Sequence, residues 1–270
     1  MALRQLAPGR FNAGMDLRRV DLKALNSLTK YPSIPTYHLL DPRNGGLQDE
    51  AVVFSGPVVG TEKVDGTNAR MILTPGGGWL IGSREELLHA RGDLIFNPSQ
   101  GIVAALKPVA EALAPVAGDE IRVVYVELYG GKVGSAAKQY TSDPARYGWR
   151  CFDVLVLNDP AEQLSWPAER IAAWRDGGGQ TFLAEDELAG AARDAGLELT
   201  PRLFTVDATE LPTDLEKTSD WLAEQLPESR VRLDAGAPGG AEGIVLRGND
   251  RRVIAKARFQ DYARTLKRRR

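Results

Sequence analysis

Thr61-Glu62-Lys63-Val64-Asp65-Gly66-Thr67-Asn68 sets a lysine between a short apolar run, Val58-Val59, and an Asp-Gly step, which is where a strand ends and turns. A side chain there is carried on rigid backbone at the lip of a pocket, not on a free loop tip. Gly66 permits a sharp turn or a close backbone approach that a Cβ would block. The plain alternative is a solvated strand-end lysine followed by an ordinary turn. Lys-x-Asp-Gly alone does not separate the two; the clusters downstream do.

Working outward, residues 69–73 and 79–81 flank Thr74-Pro75-Gly76-Gly77-Gly78 as a predicted hairpin, with the glycines as its turn and not a phosphate cradle. Residues 98–116 carry Ile102, Leu106, Val109 and Leu113 at helical spacing. Strands are expected at 121–129, 149–157, 201–206, 230–233, 243–247 and 252–257. Helices are expected at 166–176, 183–195 (ending at Gly196) and 213–226. Upstream, 16–30 suggests a short helix or an irregular start, the prolines of 30–35 impose an extended path, and 43–46 is a loop. Strands grouped before and after helices, without a βαβ rhythm, predict an α+β fold of largely antiparallel sheets flanked by helices, one domain over 1–270.

With 270 residues and 43% hydrophobic content the chain can bury a substantial core. No apolar run is long enough to span a bilayer, and residues 1–10 lack a hydrophobic leader segment, so a cytoplasmic protein is expected. Cys151 is the sole cysteine, which excludes an intrachain disulfide, and with only His38 and His89 besides no Cys/His zinc site assembles. Net charge is −2, but the segment from Arg247 onward holds ten basic and two acidic residues, leaving −10 on the preceding 246. Such asymmetry points to a basic face or tail, placed at 259–270, that meets phosphates. Its alternative is a solvated final helix with a frayed end.

Further clusters follow Lys63 in order: Ser83-Arg84-Glu85, Tyr125-Val126-Glu127-Leu128-Tyr129-Gly130, Arg150-Cys151-Phe152-Asp153-Val154, Glu242-Gly243-Ile244-Val245-Leu246-Arg247, and Ile254-Ala255-Lys256-Ala257-Arg258. Each has a bland reading. Phe152 beside Cys151 and Val154 suits a core, Glu127 a strand edge, Glu242 a turn after Gly239-Gly240, and Arg84 a weak surface pair with Glu85. Gly130-Gly131-Lys132 lacks the glycine spacing and the Ser/Thr of a Walker loop. Taken together and in this order, the set resembles motifs I, Ia, III, IIIa, IV and V of the covalent nucleotidyltransferases, the superfamily of DNA ligases, RNA ligases and mRNA capping enzymes. Lys63-Val64-Asp65-Gly66-Thr67-Asn68, with Lys30-Tyr31-Pro32-Ser33-Ile34 upstream, is most similar to the RNA ligase 2 family.

The resemblance implies a nucleotidyltransferase fold in which Lys63 takes AMP from ATP and passes it to a 5′-phosphate end, where a 3′-hydroxyl displaces it. It implies that Phe152 stacks on adenine, Glu127 holds the nucleoside, and the backbone at Glu62 meets the adenine edge. It further implies that Arg84 contacts ribose or the acceptor strand, and that Asn68 orients phosphates. The chemistry supports these roles separately. A free lysine titrates at about 10.4, so apolar burial beside Val58 and Val59, with cations nearby, is expected to favour the neutral amine. Lys256 and Arg258, two apart on a strand, point to one face and suit the phosphoryl oxygens and the pyrophosphate. Magnesium or manganese takes a few carboxylates plus phosphate oxygens and water, for which Glu242 is the first candidate.

Two departures stand out. Motif V carries Arg258 where a second lysine is common, and Asp65 replaces a histidine common in RNA ligase 2 members, matching the DNA ligase and capping pattern. The expected partner is RNA with 5′-phosphate and 3′-hydroxyl ends. A minimal DNA ligase and a non-catalytic nucleic-acid-binding relative are the alternatives. Only twelve residues follow Arg258, so no C-terminal oligonucleotide-binding module is expected, and an accessory strand-binding protein is an option.

Overall fold

The computed structural model describes residues 15–90, 101–116, 118 and 120–269. The lysine stretch ends strand β3 (Pro57–Lys63), to which β9 (Arg202–Asp207) and β10 (Gly243–Gly248) add on either side, with β11 (Ile254–Arg258) beyond β10. Every pairing in this four-stranded sheet is antiparallel. One of its faces is apolar: Val58, Ile244, Leu246, Ala255 and Ala257 are buried against helices α7 (Leu215–Gln225) and α8 (Phe259–Arg269). Leu215 and Leu222, seven apart on α7, fall on one stripe.

A second antiparallel sheet has the order β6-β5-β4-β7-β8, from β4 (Thr67–Thr74), β5 (Gly78–Ser83), β6 (Leu87–Ala90), β7 (Ile121–Gly130) and β8 (Tyr147–Leu157). Both its faces are covered, which explains the near-continuous apolar runs in β4 and β7. Met71, Leu73, Val124 and Val126 meet helix α2 (Ile102–Leu113), and Leu188 of α6 (Glu185–Ala195) joins the same cluster. Ile72, Leu80, Val123 and Leu155 meet α1 (Leu22–Leu28) and Ile171 of α5 (Ala168–Asp176). The remaining elements are a small sheet of β1 (His38–Leu40) and β2 (Leu47–Ala51), two single-turn helices, α3 (Ala137–Tyr140) and α4 (Pro160–Leu164), and two 3-10 turns, Ala114–Val116 and Ala208–Glu210. Among the described residues no helix is long and apolar enough to cross a membrane.

The α+β architecture and its antiparallel sheets are those the sequence predicts. Two expectations need correction. Residues 230–233 form no strand: the Leu233 N–H goes to Tyr140 O and the Ser229 N–H to Gly239 O, so the segment is a loop pinned by turns. Residues 259–269 form not a tail but α8, whose buried Tyr262 packs with the apolar side of the four-stranded sheet and whose buried Thr265 accepts the Leu47 N–H of β2 (2.9 Å). The N-terminal leader assessment, the start of the 98–116 helix and Arg270 lie outside the described residues.

Candidate active site

The uncovered face of the four-stranded sheet carries the charged residues. Register pairs Lys63 with Gly243 and Gly243 with Arg258, and it pairs Thr61 with Val245 and Val245 with Lys256. Directly opposed residues share a face, so Lys63, Lys256, Arg258 and Arg247 all rise on one side. They floor a cleft of about 470 Å3, whose other walls come from the second sheet through Asn68, Glu127 and Phe152, and from the 31–34 segment. That segment is held along β11 by bonds from Lys256 N to Pro35 O (2.9 Å) and from Tyr37 N to Lys256 O (2.9 Å). The extended path dictated by Pro32 and Pro35 thus becomes a wall of the cleft.

The amine of Lys63 is only partly exposed and forms an ion pair with Glu242, on the loop entering β10. The apolar surrounding expected for it is not what it meets. Strand alternation sends Val58 into the core on the opposite face, and a carboxylate is the contact instead. Glu127 lies beside this pair and accepts the Gly66 N–H. Its carboxyl is pushed up to about 8, first by burial and further by the Glu242 charge, with the Lys63 cation opposing. Gly66 permits this convergence, because a Cβ there would sit 2.2 Å from Leu128 O.

Phe152 reaches the cleft through an irregularity. Tyr125 pairs with Asp153 and Val126 with Cys151, so Phe152 is an extra residue in β8. The bulge puts consecutive side chains on the same side. Phe152 lies edge-to-face with Tyr31 at 5.0 Å, and the Tyr31 hydroxyl donates to Asp153 at 2.9 Å. Asp153 is fully buried and also accepts from Arg247 (3.0 Å) and Arg251 (2.7 Å). Arg251 holds a left-handed backbone, φ 63°, unusual for a residue with a Cβ, and its guanidinium packs over Phe182. This knot ties β8 to β10 and fixes the aromatic wall.

Of the other expected site residues, Glu62 lines the cleft, but its side chain faces the opposite way. Its buried carboxylate accepts from Ser229 Oγ and from Arg230 N (2.8 Å), and burial raises its pKa. Asn68 points its Oδ1 into a buried position with no hydrogen-bond partner among the described residues. Arg84 is exposed at the rim, 3.4 Å from Ser33 Oγ and 3.6 Å from Glu85. Lys256 has its pKa lowered, first by burial and then by the cations of Arg258 and Lys63. Arg258 donates to Asp261 at 2.7 Å, which orients it from α8.

Sequence reasoning missed Tyr31, Arg251 and the binding role of Asp153. Their partners lie about a hundred residues apart or more in the chain, and only the Tyr-Pro segment hinted at them. Among the described residues no three His, Cys, Asp or Glu side chains gather into an all-protein metal cage. Glu242 and Glu127, close enough that the Glu242 charge raises the proton affinity of Glu127, nonetheless fit a dication that takes its remaining ligands from phosphate and water.

Two antiparallel sheets closing on a lysine, with carboxylates, an aromatic and late cations around it, form a fold of the nucleotidyltransferase type seen in RNA ligases. Solved structures of Naegleria gruberi RNA ligase share it. A mutant with ATP and Mn superposes with a TM-score of 0.52 at 12% identity, over 79% of this chain and 52% of that one. A second mutant with ATP and Mn gives 0.52 at 11%, over 88% and 62%. The enzyme with PPi gives 0.51 at 12%, over 79% and 52%. This chain therefore spans about half the length of the first of these structures. No curated protein matches it. The RNA ligase family model matches residues 56–259, and the chain belongs to the RNA ligase family.

Proposed function

We propose that the protein is an ATP-dependent RNA ligase acting through a lysyl-AMP intermediate on Lys63. The observation that carries this reading is the placement of Lys63 in a cleft that gathers the carboxylates of Glu242 and Glu127, a stacking ring and the cations of Lys256 and Arg258. In the first step the deprotonated amine forms a bond to the α-phosphorus of ATP as the bond to pyrophosphate breaks. Phe152, braced by Tyr31, stacks on the adenine. Lys256 and Arg258 neutralise the phosphoryl oxygens and the leaving pyrophosphate, Arg258 being aimed by Asp261. Asn68, with its free Oδ1, is a positioning group for the nucleotide. A divalent ion, magnesium or manganese, held by Glu242 with help from Glu127 would add charge neutralisation at the phosphates. AMP then passes to a 5′-phosphate, and a 3′-hydroxyl displaces it to form the phosphodiester.

The test is labelling of the protein by ATP and by GTP, each labelled at the α-phosphate, in wild type and Lys63→Ala. Transfer from ATP to wild type alone is expected; transfer from GTP and not ATP contradicts the reading in favour of a capping activity. Sealing of nicked RNA is expected to exceed sealing of nicked DNA, and the reverse preference would make the protein a minimal DNA ligase.

A further inference from the structure

The outer face of α8 carries Arg264, Lys267 and Arg268 at spacings of three and four residues, which places them along one stripe of the helix. Tyr262 and Thr265 occupy the buried side, so the stripe faces outward. The helix begins at the cleft itself: Phe259 N donates to Glu242 O at 3.0 Å, and Arg258, just before it, lines the cleft wall. Asp261 receives both Arg258 (2.7 Å) and Arg264 (2.9 Å), so the cations of cleft and helix run on without a break. Its charge is consumed by those two, and Asp49 takes Arg269. Lys267 and Arg268 have no carboxylate partner among the described residues. Arg268 instead donates to Asn44 O (3.0 Å) and Arg264 to Gly45 O (2.7 Å), which holds the stripe against the 41–47 loop.

We propose that this face of α8 binds the phosphate backbone of an RNA strand whose end lies in the cleft. The inference rests on the ligase reading, and it identifies the surface that receives the polynucleotide beyond the reacting end. Charge complementarity favours a polyanion, because the last turn of α8 carries Lys267, Arg268 and Arg269, of which only Arg269 meets a carboxylate among the described residues. The length also suits it. Arg264 to Arg268 spans about 6 Å along the helix axis, which matches about two phosphates at roughly 3.4 Å of axial rise per strand step.

The experiment compares the full chain with Lys267→Ala/Arg268→Ala and with a control pair, Lys107→Ala/Arg193→Ala, whose cations are exposed on α2 and α6. Equilibrium binding of a nicked RNA duplex is measured over a salt series without ATP, and labelling by ATP is measured without RNA. The α8 pair is expected to make the plot of log affinity against log salt shallower by about 1.8, at about 0.9 per phosphate contact, and to weaken binding, with labelling by ATP as in wild type. The control pair is expected to keep the wild-type slope. An α8 variant with the wild-type slope, or an equal loss in the control, overturns the proposal, even if the face captures a protein. Absence of labelling in every protein would strike the ligase reading instead, and the binding slopes would still decide the surface.

Discussion

At the scale of single residues, Lys63 shares the cleft with Glu242 and Glu127, and one of these carboxylates is costly. Glu127 is raised from its ordinary 4.5 to about 8 mainly by burial. Below about pH 4.5 the folded and unfolded chains both hold its proton. Between there and about 8 only the folded chain does, so this group's contribution to stability falls as pH rises through that window, by at most about 1.4 kcal/mol per pH unit. Glu127→Gln, which needs no proton to be neutral, is expected to melt several degrees higher than wild type at pH 8 in chelator and close to it at pH 5, while sealing falls. A variant that tracks the wild-type melting temperature at both pH values would refute this account of Glu127. Such a trade of stability for charge is what a functional position is expected to show. Gly66 is constrained differently. Gly66→Ala forces a Cβ against Leu128 O, and the expected result is loss of both the denaturant midpoint and labelling by ATP. Wild-type values for both would show that the two sheets need not approach so closely.

Strands, taken as elements, show what a sequence conveys and what it conceals. The Val58-Val59 run, the Asp-Gly turn, the hairpin over 69–81 and the paired spacing of Lys256 and Arg258 are local patterns, and β3, β4, β5 and β11 follow them. Period two placed both late cations on one face before any register was known. The same rule misleads at β8, where alternation sends Phe152 and Asp153 to opposite faces and the bulge reunites them. β1 and β2 are too short to stand out in the sequence, and in 230–233 the N–H groups of Arg230, Val231 and Leu233 go to Glu62, Ser229 Oγ and Tyr140 O instead of to a strand. The buried knot is illegible for a deeper reason: Asp153 meets Arg247 and Arg251 only once β8 and β10 have been brought together. Asp153→Asn leaves the nearly inaccessible Arg251 without a carboxylate and Arg247 with Glu185 alone, and the expected cost is about 3–5 kcal/mol in denaturant unfolding. An unchanged midpoint would mean that the knot does not hold the sheets together.

Across the whole molecule, charge and burial are sorted by face. The four-stranded sheet gives its apolar side to α7 and α8 and its cationic side to the cleft, while the five-stranded sheet, covered on both faces, contributes Glu127 of β7 and Phe152 of β8 to the cleft of Lys63. The net charge of −2 hides this arrangement, and the charge distribution along the chain reveals it. All of it converges on the amine of Lys63, the group we propose receives the nucleotide. The most direct measurement is intact-mass analysis followed by peptide mapping of the full chain after incubation with ATP and a divalent ion. One AMP per chain, carried on Lys63 and absent from Lys63→Ala, is the predicted result. No adduct, or an adduct mapped to another residue, would contradict the account.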